Sequence, residues 1–162
     1  MNKNNALIDA IKHDKSIVFI KSLIDSGINI DEYGDAKITA LMWAVMNKNI
    51  PVIQLLMDKN ANVNLQDFRG VTALMESIDH NNNEIFLLLI NPNVDLTIAD
   101  QYGYTLVHWA ILHNAINILQ ELINRKANLI IKNIEGYTPL MFAKAYERTD
   151  CIKLLENSGV TE

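Results

Sequence analysis

Residues 138–143 read Thr-Pro-Leu-Met-Phe-Ala, and the same frame recurs upstream at a fixed interval. Its echoes are Thr105-Leu106-Val107-His108-Trp109-Ala110, Thr72-Ala73-Leu74-Met75-Glu76-Ser77 and Thr39-Ala40-Leu41-Met42-Trp43-Ala44. The threonines stand at 39, 72, 105 and 138, so each step is 33 residues. One more step back lands on Ala6, where Ala6-Leu7-Ile8 opens a weaker copy. A period of this length decides the architecture, because each unit buries its apolar face only against its neighbours. Five units tile the 162 residues without insertion: about 1–33 as an N-terminal cap, 34–66, 67–99, 100–132, and 133–162 as a C-terminal cap. They leave no room for a second domain.

Each unit has a local physical reading. Asp67-Phe68-Arg69-Gly70, Asp100-Gln101-Tyr102-Gly103 and Asn133-Ile134-Glu135-Gly136 put Asp or Asn first and Gly fourth, as type I turns prefer. The threonine two residues later is placed to cap a short helix, and Pro139 takes the first helical position, where no N–H is missed. A second helix follows with an i, i+1, i+3, i+4 apolar stripe: Val52, Ile53, Leu55 and Leu56, then Ile85, Phe86, Leu88 and Leu89. The later copies are Ile118, Leu119 and Leu122, then Cys151, Ile152, Leu154 and Leu155. Positions 27, 60, 93, 126 and 159 read Gly, Asn, Asn, Lys and Gly, the residues of a left-handed helix stop except for Lys126.

These features together resemble ankyrin repeats: Thr-Pro-Leu-Met-Phe-Ala at 138–143, the 33-residue period and the Asp-x-x-Gly-x-Thr turns. The ankyrin pattern has Thr-Pro-Leu-His-x-Ala, and its histidine survives only at His108, with Met42, Met75 and Met141 elsewhere. Lys37 stands where the hairpin glycine belongs. The Gly-His pair usual between the helices is read as Lys48-Asn49, Asn81-Asn82, Ala115-Ile116 and Arg148-Thr149. The resemblance implies an all-α solenoid of about five helix-turn-helix units, with short β-hairpin turns projecting from one edge. It also implies a protein-binding role for the hairpin tips and the exposed ends of the first helices.

Composition narrows the function further. A net charge of -5 argues against a binder of nucleic-acid backbones, which would carry a basic face. The longest apolar run, Ala40 to Met46, is seven residues, and Ile85 to Ile90 is six, against the ~20 that a membrane helix needs. No apolar stretch follows Met1-Asn2-Lys3-Asn4-Asn5, so no secretory signal is expected. The single cysteine, Cys151, excludes an internal disulfide and suits a reducing cytoplasm. It lies on the apolar stripe and reads as a packed thiol rather than a nucleophile. No Gly-rich phosphate loop and no G-x-S-x-G turn is present. His80 and His113 share a position in successive units, yet no Cys or His pair at ligand spacing supports a metal there. The expectation is no enzyme, no metal and no cofactor.

What varies between the units is then the recognition surface. The tips are Asp35 and Ala36, Phe68 and Arg69, Gln101 and Tyr102, Ile134 and Glu135, followed by Ile38, Val71, Tyr104 and Tyr137. The helix-end row reads Asp14, Asn47, His80, His113 and Tyr146. Phe68, Arg69, His80, Tyr102, Tyr104, His113, Tyr137 and Tyr146 are the expected protein-binding residues, a rigid and amphipathic composition typical of hot spots. Trp43 and Trp109 share one first-helix position and read as packing between neighbouring first helices. His80 and His113 are expected to flank the patch, where a carboxylate of the partner, if it met them, would pair with the imidazolium. The function expected is a monomeric cytoplasmic binder that sequesters or inhibits a protein, as an immunity-type inhibitor does. A host-targeted effector and a regulatory or assembly subunit are the alternatives.

Overall fold

The computed structural model describes residues 6–79 and 82–161. Among them run ten α-helices: α1 Ala6–Lys12, α2 Ile17–Asp25, α3 Ala40–Met46, α4 Ile50–Asp58, α5 Ala73–Asp79, α6 Asn83–Leu89, α7 Leu106–Leu112, α8 Ile116–Asn124, α9 Pro139–Ala145 and α10 Thr149–Asn157. The odd helices pack in sequence on one another and the even helices do the same, so the chain forms two layers of a solenoid. Capping fixes where each helix starts. Thr39, Thr72 and Thr138 accept the N–H three residues on, each at 3.3 Å. Asn49 and Asn82 do the same for the even helices, at 3.2 and 3.1 Å.

The apolar stripe is narrower than the spacing implies. Ile53, Leu56, Ile85, Phe86, Leu89, Leu119, Leu122, Cys151 and Leu155 are fully buried. Leu55, Leu88 and Leu154 only pack partly against this core, because their position turns toward the outer surface. Burial pushes the Cys151 thiol up to about 11, which fits a packed rather than a reactive sulfur.

Three details of register differ from the even tiling. α1 begins 34 residues before α3, while α2 begins 33 before α4. The left-handed residue between helices is Asp14 in the first unit and Lys48 in the second, and Lys15 is the extra residue. Asn47 therefore matches His13, not Asp14, and Leu7 and Ile8 match the buried Leu41 and Met42. Second, the interhelical pair lies at Asn114-Ala115 and Glu147-Arg148, one residue earlier than read, with Asn114 and Glu147 left-handed. Third, α6 stops at Leu89, two residues short of its counterparts. Pro92 follows, and a residue before proline is pushed out of the helical region, so Asn91 cannot continue the helix and Asn93 is not the left-handed stop.

The stops at Gly27, Asn60, Lys126 and Gly159 are all left-handed, with φ of 81°, 60°, 60° and 84°. For Lys126 that conformation crowds its Cβ against the carbonyl. Lys126→Gly should therefore stabilise the protein by about 0.5–1 kcal/mol. A denaturant melt with an unchanged or lowered midpoint would refute this.

Candidate functional site

The turns between units are built around one buried polar side chain each. Asp67 Oδ1 accepts from the N–H groups of Arg69 and Val71, at 2.8 and 2.9 Å. Asp100 Oδ1 holds Tyr102 and Tyr104, both at 2.9 Å, and Asn133 Oδ1 holds Glu135 and Tyr137, at 3.0 and 2.9 Å. Each turn closes by an N–H from Gly70, Gly103 or Gly136 to the first residue's carbonyl. Isolated antiparallel bridges, Gln66 with Thr72 and Ala99 with Thr105, stand in place of extended hairpin strands. The first turn departs from this design because Gly34 occupies the Asp position and offers no side-chain acceptor. It becomes a 3-10 turn at Asp35–Lys37, with Ala36 and Lys37 left-handed at φ 54° and 58°.

Successive turns are also tied to each other. The N–H of Phe68 donates to the Ala36 carbonyl, Gln101 to Arg69 and Ile134 to Tyr102, at 3.0, 2.8 and 3.1 Å. A methyl group on Gly103 would lie 2.9 Å from the Ile134 nitrogen, so glycine there permits the close approach as well as the positive φ. The tips are thus set at a fixed pitch by backbone alone. Their side chains remain outside: Phe68 is 64%, Tyr102 52% and Ile134 70% exposed.

The remaining carboxylate oxygens bind the side chains that face the inner layer. Asp100 Oδ2 accepts from Trp109 Nε1 at 3.1 Å, within the same unit. Trp109 is thus fastened to its own turn, and is more than a spacer between first helices as the sequence reading had it. In the preceding unit Glu76 takes the tryptophan position and cannot donate. Arg69 reaches back instead, bonding Asp67 Oδ2 at 2.8 Å and Glu76 Oε1. Its guanidinium lies 6.0 Å from the Phe68 ring. Arg69, expected as a contact residue, is therefore first of all a clamp between turn and helix.

The aromatic residues converge in units four and five. Tyr102 and Tyr104 rings lie 6.0 Å apart, Tyr104 and Phe142 5.0 Å, and Phe142 and Tyr146 4.6 Å. Tyr146 is exposed, and Tyr137 stands at the margin of this row. Burial, then the charges of Tyr146, Glu135 and Asp100, pushes the Tyr104 hydroxyl above its ordinary value. His113 stacks on Trp109 at 5.6 Å, and its Nε2 lies 3.6 Å from Asp79, a carboxylate of this chain. His80 lies outside the described residues. Tyr102, Tyr104, Trp109, Leu112 and Val71 enclose a cleft of about 200 Å³ with Arg69 at its rim. Trp109 and Leu112 were missed as site residues. The signal for Trp109 was the pairing of positions 67 with 76 and 100 with 109, each nine residues apart.

Beneath the aromatic row His108 is fully buried. Its Nε2–H donates to the Tyr137 carbonyl at 3.4 Å, which leaves Nδ1 to accept at Thr105, 3.2 Å from the hydroxyl. That arrangement needs a neutral ring, and burial holds His108 below the ordinary 6.5. The unfolded chain therefore binds the proton more readily, and His108's contribution, full above pH ~6.5, is lost as pH falls toward the folded value. His108→Met, the residue of three sister units, should flatten the fall in stability below about pH 6.5. Equal acid slopes for both proteins in denaturant melts would refute the assignment.

Among the described residues, no three His, Cys, Asp or Glu side chains are placed to hold a metal ion. No helix of the described residues is long and apolar enough to cross a membrane. The geometry defines a class first: a two-layered helical repeat stack whose turn tips and inner helices present side chains that the scaffold does not need. The family model for ankyrin repeats, in three copies, matches residues 7–100 and again 74–161, and the chain belongs to the ankyrin repeat family. Ankyrin repeats mediate protein–protein binding, and the family is typically without catalytic activity. No curated protein matches the chain.

Proposed function

We propose that this chain is a non-enzymatic, monomeric, cytoplasmic module that binds one protein partner through the tips of its third to fifth units and sequesters or inhibits it. An immunity-type inhibitor of a toxin or enzyme is the role this reading favours. The observation that carries it is the rigid display of aromatic side chains. The tips are fixed by backbone-to-backbone bonds, so Phe68 and Tyr102 are ordered without being consumed by the core, and Tyr146 stands exposed at the end of α9. Aromatic groups held this way lose little rotamer entropy on binding, which makes them effective anchors. In the fifth unit the exposed Lys144 and Glu156 stand where Ile111 and Ile123 pack in the fourth, and this polar face supports the monomeric reading.

The test pairs capture with substitution. The partner is recovered by affinity purification from the native organism, and binding and melting are then measured on Phe68→Ala, Tyr102→Ala and Tyr104→Ala. Tyr102→Ala should weaken affinity by about tenfold, within the range of a single interface hot spot. Its melting temperature should stay near the wild type, since about half of that residue is exposed to solvent. Tyr104→Ala should lower both, because Tyr104 packs on Phe142. Affinity indifferent to all three substitutions would refute the reading. If the captured partner is a toxin or enzyme whose activity survives stoichiometric binding, the inhibitory role falls while the binding role stands.

A further inference from the structure

We propose that the cleft between the turns of the third and fourth units receives a cationic side chain, arginine or lysine, from an extended segment of the partner. This deepens the reading of the face as a binding surface and rests on it. The cleft's walls are the rings of Tyr102, Tyr104 and Trp109 with the aliphatic Val71 and Leu112, in about 200 Å³, room for one long side chain. Such walls accept either an apolar or a cationic guest, since a cation is drawn to the face of an aromatic ring. Charge decides between the two.

Asp100 lines the cleft, and no cation among the described residues pairs with it: its oxygens take two backbone N–H groups and the indole N–H. Among the residues that line the cleft Arg69 is the only cation, and it is bonded to Asp67 and Glu76. Glu135 lies within electrostatic reach of Tyr104, where its charge and that of Asp100 help hold the phenol protonated. The asymmetry extends to the whole chain. Residues 1–66 carry seven cations and seven carboxylates, so the entire net charge of -5 falls on residues 67–162. Trp109 Nε1 and Arg69 Nε and Nη2 are each bonded to a carboxylate of this chain, so an anionic guest would meet only the unbonded edge of the guanidinium, against the repulsion of Asp100. The ring walls and the Asp100 charge favour a cation instead.

The experiment uses the full chain, labelled with nitrogen-15, and four probes of one length class. They are blocked arginine, its neutral near-isostere blocked citrulline, blocked leucine and blocked glutamate. The Trp109 indole N–H, which lines the cleft, is the reporter. Blocked arginine should move this resonance in a saturable way, about tenfold tighter than citrulline, a difference that cation–π contact can supply. Raising salt from about 0.05 to 0.5 M should weaken it, as screening requires. Tyr102→Ala should lose most of the preference while keeping its melting temperature. Equal binding of arginine and citrulline, preference for leucine or for glutamate, or no saturable shift from any probe would each overturn the cationic assignment. Those outcomes leave the binding face itself intact. That face fails separately, when the captured partner ignores Phe68, Tyr102 and Tyr104.

Discussion

Replacing Phe86 by alanine should cost about 3–5 kcal/mol, the range for an aromatic side chain deleted from a packed core. Phe86 is fully buried on α6, the shortest of the even helices, in the middle of the stack. α6 packs on α4 and α8, so the void opens where both flanking units rely on it. In a linear stack each unit is stabilised by its neighbours alone, so a weakened centre uncouples the two ends. The denaturant transition should then move to lower midpoint, lose slope and divide into two phases. Leu88→Ala, two residues on, should cost clearly less, roughly 1–2 kcal/mol, because Leu88 is only partly buried. Equal midpoint shifts for the two variants would mean that α6 presents a different face to the core.

The contrast between Phe86 and Leu88 shows what period alone can tell. Spacing of 33 residues located the units, and the residue types at 39, 72, 105 and 138 named their caps, because capping is local chemistry within three residues. Left-handed stops were legible for the same reason, down to the strain at Lys126. The extra Lys15 was not legible, since the first unit lacks the threonine that fixes register in the other four. Pro92 was in plain view, yet a perfect 33-residue repeat on either side hid the two-residue shortening that it imposes. Leu88 failed differently: an i, i+1, i+3, i+4 stripe spans more of a helix surface than two neighbouring helices cover. At the site, exposure of Phe68 followed from its turn position, whereas the fate of Arg69 depended on Glu76, seven residues away and on another element. Contacts of that kind are set by the packing of turn on helix, and no spacing rule contains them.

Asp100→Ala should destabilise by at least about 3 kcal/mol, because three buried N–H groups, two of backbone and one of indole, lose their acceptor together. The informative variant is Asp100→Asn. An asparagine keeps one carbonyl oxygen for the N–H groups of Tyr102 and Tyr104, so the turn itself survives. Its amide nitrogen, however, then faces Trp109 Nε1, and two donors confront each other in a buried place. That should cost about 1–3 kcal/mol, the penalty of an unsatisfied buried donor. The fifth unit already carries the answer to this conflict. There Asn133 occupies the Asp100 position, and Phe142, which has no donor, occupies that of Trp109. Trp109→Phe in the Asp100→Asn background should therefore recover about 1 kcal/mol or more relative to the sum of the single changes, the coupling expected of residues in contact. The same double variant should lose any arginine preference in the cleft, since it removes both the carboxylate and the indole face. Additive costs across the four proteins would show that the indole and the carboxylate are neighbours without being partners.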